Sequence, residues 1–442
     1  TEWSALGAAV DIDGGNPSIS GNEARCIVGQ QESYVGALDT GRAYIYKETG
    51  TGWVLEDTIT ASNGSDGDAF GSAVGISGDI AVVGAYNYDG GEGAFYVYTR
   101  SGSTWTETWT SQLSGYDYQS GAGVAIDGNT IAVGASAYTY DLGGSNETTN
   151  AGAIAVYTTS DSGANWTSET SGYLFNDSIL TDPSTGLGSA GRLALSKDTL
   201  VASGNNEVVQ IWERTGTTWS SVVEIIQTDD DGFGDSVSAS SDGTYGYVAI
   251  GQNAAHFYSF VYTDDDWSSY TTYIDRINSD HGDYLSSTSG SYSSLAIANG
   301  SSDGYANPPR PILIATGEGS NSPHANSRKA EAWYGSPTDS LPPSGGMEIV
   351  AGGYPFTDTP DDFDPYQWGG MPGRTAITDN AHYFIVGAPG NDINYGFPPP
   401  YVVPDVGGFS IHKSTPISTN PITITATGHN QTVDLDRTYN VI

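Results

Sequence analysis

Four carboxylates crowd the stretch DTPDDFDP at 358–365: Asp358, Asp361, Asp362 and Asp364. Ca2+ takes about six to eight oxygen ligands, and a short acidic loop stiffened by proline is one way to supply them. Smaller acidic groups precede other apolar runs: Asp66 with Asp68, Asp229 to Asp231, and Asp280 with Asp283. The competing reading is structural, because an Asp side chain in a turn accepts nearby backbone N–H groups and closes the loop. The six histidines, at 256, 281, 324, 382, 412 and 429, show no zinc-ligand spacing. There is neither a Gly-x-Ser-x-Gly elbow nor a phosphate loop. Carboxylate pairs are too common here for any one to mark an acid/base couple, so no catalytic residue is assigned and the chain is not expected to be an enzyme.

Aromatic side chains in long connections offer a different chemistry, since they stack on sugar rings or anchor a protein partner. Tyr138 and Tyr140 lie in AYTYDLGGSNETTN (137–150), and Tyr305 in SSDGYANPPRP (301–311). Tyr395, Phe397 and Tyr401 lie in NDINYGFPPPYVVPD (391–405), where the prolines stiffen the loop and lower its entropy loss on binding. These six are the candidate contact residues for a glycan or surface protein ligand; the alternative for each is a loop packed over its own strands.

The 442 residues carry 14 Lys and Arg against 52 Asp and Glu, a formal charge of −38. Such a surface repels phosphate backbones and anionic lipid, which argues against nucleic acid as a partner. No apolar run is long enough for membrane insertion. Salt or divalent cations screen the self-repulsion, which points outside the cell: extracellular, cell surface or virion surface. The chain lacks an initiator Met and a signal peptide, so a mature or excised product is expected. Cys26 alone allows no intrachain disulfide, and its setting in ARCIVGQ reads as a small buried residue.

What must position any such site is a repeat. DAFGSAVGISGDIAVVGA (68–85) continues into GGEGAFYVYTRSGSTWTETWT. The order is Gly-rich turn, strand, tight turn, strand ending in Val-Gly, loop, Gly-started strand with alternating aromatics, tight turn, and a strand containing Trp. Copies recur to give seven, with second-strand glycines placed at Gly29, Gly84, Gly134, Gly204, Gly251, Gly317 and Gly387. Trp53, Trp105, Trp166, Trp219 and Trp267 follow the third strand in the first five copies. Helical periodicity is missing throughout. About four strands per unit at this irregular spacing is what a β-propeller needs, because loops on one face absorb the variation. Continuous apolar runs such as IAVVGA fit strands covered on both faces, and alternating AFYVYT fits a half-exposed outer strand.

Phe-Gly at 70–71 and 233–234, Val-Gly-Ala at 83–85, and Val-Gly-Ala-Pro-Gly at 386–390 resemble the FG-GAP repeat. The resemblance covers roughly 5–413 and implies the propeller of integrin alpha subunits and bacterial surface proteins. Some members hold Ca2+ in an Asp-x-Asp-x-Asp-Gly hairpin between the first two strands. Here that place reads ISGDIAV (76–82), IDGNTIA (126–132) and LSKDTLV (195–201), so integrin-type calcium loops are absent. No cofactor is expected, and Ca2+ remains a second reading for the acidic loops.

The expected fold is an all-β, seven-bladed β-propeller of four-stranded antiparallel blades, at about 5–60, 66–111, 118–171, 186–226, 231–274, 281–350 and 366–413. A short C-terminal β tail (414–442) follows a linker at 413–421. The tail's ITITAT (422–427) either completes the last blade, or the N-terminal TEW does so and the tail belongs to another module. The slight preference is for a tail that pairs, within the chain or with copies of itself in another subunit. Function is read as a non-enzymatic adhesion or recognition module. The alternatives are a structural subunit of a filament, phage tail or surface assembly, and a polysaccharide-processing enzyme.

Overall fold

In the computed structural model most of residues 6–263 are described, apart from 16–22, 32–33, 36–37, 50–51, 112–117, 142–146, 149, 171–172, 176–185, 205–207, 227–232, 242–244 and 253–255. Beyond these it describes 273–274, 294–298, 312–319, 327–334, 375–378, 383–387, 393–395, 401–403, 409–415, 423–429 and 438–440.

Among the described residues, seven antiparallel sheets of three to five strands follow one another along the chain, each a simple meander, besides three two-stranded ribbons. In the first, Leu6–Asp13, Arg25–Gln30, Arg42–Glu48 and Trp53–Ile59 pair in that order. The second comprises Phe70–Ser77, Ile80–Ala85, Ala94–Ser101 and Thr104–Ser111. The third comprises Ser120–Asp127, Thr130–Ala135, Ala153–Thr158 and Thr167–Ser168. Leu193–Ser196, Thr199–Ser203, Val208–Thr215 and Thr218–Ile226 form the fourth. The fifth holds Ser236–Ser241, Tyr245–Gln252, His256–Thr263 and Tyr273–Ile274. Three strands are described in the sixth, Ser294–Ala298, Ile312–Gly319 and Ser327–Tyr334. The seventh has five: Thr375–Ile377, Tyr383–Gly387, Phe409–Thr415, Thr423–His429 and Thr438–Asn440. The C-terminal segment thus pairs within the chain, and the stretch read as a linker from 413 is still strand through Thr415.

The core lies between sheets. Second strands are buried on both faces: Ile80–Ala85 and Thr130–Ala135 are buried at every residue. Phe70 and Phe233, of the two Phe-Gly pairs, are fully enclosed, as are Leu6 and Leu187 at the corresponding places. Phe70 packs with Ile27 and Ile45 of the first sheet and Tyr96 of its own. Enclosing such a side chain contributes about 1.5–3 kcal/mol relative to leaving it exposed. Between the seventh and first sheets, Phe409 and Ile411 meet Leu6, Cys26 and Val28. There Tyr46 lies 5.0 Å from Phe409, and Trp53 meets Tyr383 edge-on at 5.5 Å. The Cys26 thiol is part of this packing, and burial pushes its pKa up.

The recurrent glycines are where backbones touch. A Cβ on Gly29 would collide with the carbonyl of Gly71, one on Gly84 with that of Gly121, one on Gly134 with that of Gly188, and one on Gly387 with that of Gly7. In three cases the second strand of one sheet is pressed on the first strand of another, and at Gly134 it meets the turn that precedes the first strand of the fourth sheet. The register corrects one sequence assignment: in the fourth sheet Ser203, not Gly204, takes this place. Its side chain lies against Gly234, and its hydroxyl donates to the Gly234 carbonyl at 2.5 Å.

Outer strands carry a further repeated device. The register of the fourth strand slips at Glu56, at Thr108 and at Val222, one surplus residue each in the first, second and fourth sheets. Such a β-bulge re-aims side chains. Leu55 turns out to solvent, 51% exposed, while the Glu56 side chain is 1% exposed.

Candidate functional site

Antiparallel order puts the connections between strands one and two, and three and four, at one end of every sheet. Connections from strand two to three, and from one sheet to the next, gather at the other end. In the second, third and fourth sheets strands one and two are joined at the first end by two-residue turns: Gly78-Asp79, Gly128-Asn129 and Lys197-Asp198. Each is held by the residue ending the first strand of the sheet before. The Asp13 carboxylate accepts from the Gly78 N–H. Ser77 Oγ accepts from Gly128 at 3.0 Å, and Asp127 Oδ2 from Lys197 at 2.6 Å. Ser196 Oγ accepts from Ser241 at 2.9 Å.

An outer circle of contacts repeats the idea. Trp105 Nε1 donates to Glu56 Oε2 at 3.1 Å, and Trp219 Nε1 donates to Glu169 Oε2 at 3.0 Å. Thr108 Oγ1 donates to the Gly163 carbonyl at 3.0 Å. Glu56 also receives Arg25 at 2.8 Å and lies 3.6 Å from the Lys47 ammonium. Burial pushes the Glu56 carboxyl up, but the hydrogen bonds from Arg25 and Trp105 and the nearby positive charges outweigh it, so its pKa ends below the usual range.

Inside the first strands lies a cavity of about 410 Å3. Every sheet contributes to its wall, among them Asp13, Ser72, Asp127, Ser196, Ser238, Ser294 and Thr375. Its carboxylates are committed to backbone amides: Asp11 accepts from Ile76 at 2.8 Å, and Asp13 also accepts from Gly15 at 2.8 Å. This lining fastens neighbouring sheets rather than presenting groups for chemistry.

The other end offers more. Three connections between second and third strands form two-stranded ribbons: Tyr34–Val35 with Leu38–Asp39, Tyr140–Asp141 with Glu147–Thr148, and Ile393–Tyr395 with Tyr401–Val403. Tyr138 precedes the second ribbon and sits at the centre of an aromatic group. Its ring lies 4.5 Å from Tyr118, 4.7 Å from Tyr173 and 5.6 Å from Phe175. All four are half-buried, and the three tyrosines pack over Ala135 and Ala155 of the third sheet. Burial raises the Tyr173 phenol pKa, and the nearby Tyr118 phenol adds to this. At the margin Ser136 Oγ donates to Gln119 Oε1 at 2.8 Å. Three separate connections supply these side chains, giving a partly exposed aromatic platform with a polar edge.

Of the sequence candidates, Tyr138 belongs to this platform. Tyr140 opens the adjoining ribbon opposite Thr148, and Tyr395 faces Tyr401 in register across another ribbon. Tyr305, Phe397 and the acidic set Asp358, Asp361, Asp362 and Asp364 lie outside the described residues. Tyr118, Tyr173 and Phe175 are additions from the structure; their sequence signal is a pair of aromatics just before the first strand of the third sheet, in YDYQ, and another shortly after its last strand, in GYLF. Asp66 and Asp68 fall within the described part. Asp68 Oδ2 accepts from the Ser65 N–H at 2.6 Å, as a turn-closing carboxylate does. Burial pushes its pKa up, the Ser65 bond opposes this, and the Asp89 and Asp66 charges add to the rise. Among the described residues no three His, Cys, Asp or Glu side chains gather as a metal ion would require.

Residues 53–98, from the fourth strand of the first sheet through the third strand of the second, match the family model of the FG-GAP repeat. The chain thus carries this repeat, consistent with an FG-GAP β-propeller family. No curated protein matches it. Among solved structures it is similar to a protein from Bacteroides uniformis ATCC 8492 assigned provisionally as a 6-phosphogluconolactonase. Identity is 13%, coverage is 94% of this chain and 93% of that chain, and the TM-score is 0.45.

Proposed function

We propose that the seven sheets are the blades of one closed propeller, and that it acts as a non-enzymatic recognition module on a cell or virion surface. Closure is supported by the single cavity walled by all seven sheets and by the packing of the seventh sheet on the first. The contact surface is the end that bears the ribbons. The observation that carries this reading is the aromatic platform around Tyr138, assembled from three connections and left half-exposed. Aromatic faces of this kind supply contact area at low entropic cost to a glycan or a protein surface.

The test is a panel of glycans and surface proteins probed with the full chain and with Tyr138→Ala. At least one ligand should bind the parent and lose about tenfold or more in the variant, the loss of a central aromatic anchor. Equal binding by both proteins would remove the platform from the reading. The runner-up, a subunit of a filament or phage tail, draws on the C-terminal strands; in-chain pairing of Thr423–His429 and Thr438–Asn440 favours a self-contained module. Sedimentation of the full chain distinguishes them, a concentration-independent monomer mass supporting the module.

A further inference from the structure

We infer that the ligand of the Tyr138 platform is cationic, a Lys- or Arg-bearing polypeptide segment of a partner protein; this rests on the recognition reading above. The first observation is the platform itself. Four half-exposed rings offer π faces that attract an ammonium or guanidinium.

The second is the charge of the sector that carries it. Between residues 48 and 191 there are seventeen Asp and Glu and a single basic residue, Arg100. Arg100 lies at the far end, where it pairs with Asp79 at 2.5 Å. Acidic residues occur in two of the segments that adjoin the platform. Gln119 and Ser120, which follow Tyr118, donate their N–H groups to the carbonyls of Gly91 and Glu92, placing the turn that holds exposed Asp89 and half-buried Glu92 alongside. In the ribbon that Tyr138 leads into, Asp141 pairs with Glu147 in register. An anionic or strongly hydrated neutral ligand gains nothing from such a field. A basic segment is steered towards it and placed against aromatic faces.

The probe is a fluorescent oligoarginine peptide, with a Gly-Ser peptide of equal length as control, followed by anisotropy in rising salt. The parent should bind oligoarginine and not Gly-Ser; Tyr138→Ala should weaken binding at least tenfold while Tyr138→Phe retains it. Asp89→Lys, on an exposed turn residue, should weaken binding several-fold and flatten the salt dependence, and it decides the matter should Tyr138→Ala fail to fold. Oligoarginine binding that is indifferent to both positions would mean attraction spread over the whole acidic surface, and would overturn the inference. Tyr138-dependent capture of a neutral glycan without oligoarginine binding would overturn it too, yet leave the recognition reading standing.

Discussion

At one end of the molecule three sheets join their first two strands through two-residue turns, and an amide of each turn is taken by a side chain of the preceding sheet: Gly78 by Asp13, Gly128 by Ser77, Lys197 by Asp127. Trp105 and Trp219 reach back to Glu56 and Glu169 on the same principle. At the other end the chain takes longer paths, folds small ribbons, and gathers Tyr118, Tyr138, Tyr173 and Phe175 into a half-exposed group. The first end spends its polar groups on holding sheets together. The second is held by the sheets beneath it, so its side chains can vary without loosening the fold.

This contrast can be broken by substitution. The largest effect is expected for Glu56→Ala, which leaves the buried Arg25 guanidinium only the more distant Glu23, takes the acceptor from Trp105 Nε1, and should cost about 3 kcal/mol. Thermal or denaturant unfolding would measure it. Because the folded Glu56 pKa lies below the unfolded value, its contribution is present above the unfolded pKa and lost as pH falls through the folded one. The gap between parent and variant should therefore close on acidification.

Next comes Gly84→Ala, whose Cβ would enter the Gly121 carbonyl and force the sheets apart at about 1–3 kcal/mol. A smaller loss, about 1 kcal/mol in the melting curve, is expected for Ser77→Ala, which removes one acceptor from a turn amide. At the ribbon end the sign should reverse. Asp68→Asn keeps an acceptor for Ser65 and removes a buried charge facing Asp66 and Asp89, so the variant should melt slightly higher at neutral pH. With a raised folded pKa, the parent recovers this deficit as pH falls below the unfolded value, and the two curves should converge there. A variant less stable than its parent at neutral pH would blur the distinction between the two ends.

The all-β class and the four-stranded antiparallel unit were legible because glycine recurs wherever backbones meet, and the apolar runs between those glycines have strand length. Ser203 escaped notice for the same reason: the eye follows Gly204, while the register assigns the contact to a residue that carries a Cβ and donates a hydrogen bond. Alternation through WVLEDTI would send Leu55 inward beside Trp53. The surplus residue at Glu56 reverses the facing, which no period-two reading can anticipate. Asp13, Ser77, Asp127 and Ser196 each look like an ordinary turn former, since nothing local reveals that the amide they serve belongs to the next sheet. The aromatic platform is half visible in the sequence: Tyr138 stands out in a long loop, but Tyr118, Tyr173 and Phe175 come from connections that only the fold around the third sheet brings together.

The surplus residue in the outermost strands has a consequence for crowded solutions. A straight, evenly spaced row of N–H and C=O groups invites a second molecule to dock and continue the ladder. Glu56, Thr108 and Val222 interrupt that row halfway, so an incoming chain can match its spacing on one side of the kink but not on both. Together with a charge of −38, this should keep concentrated preparations dispersed as separate particles.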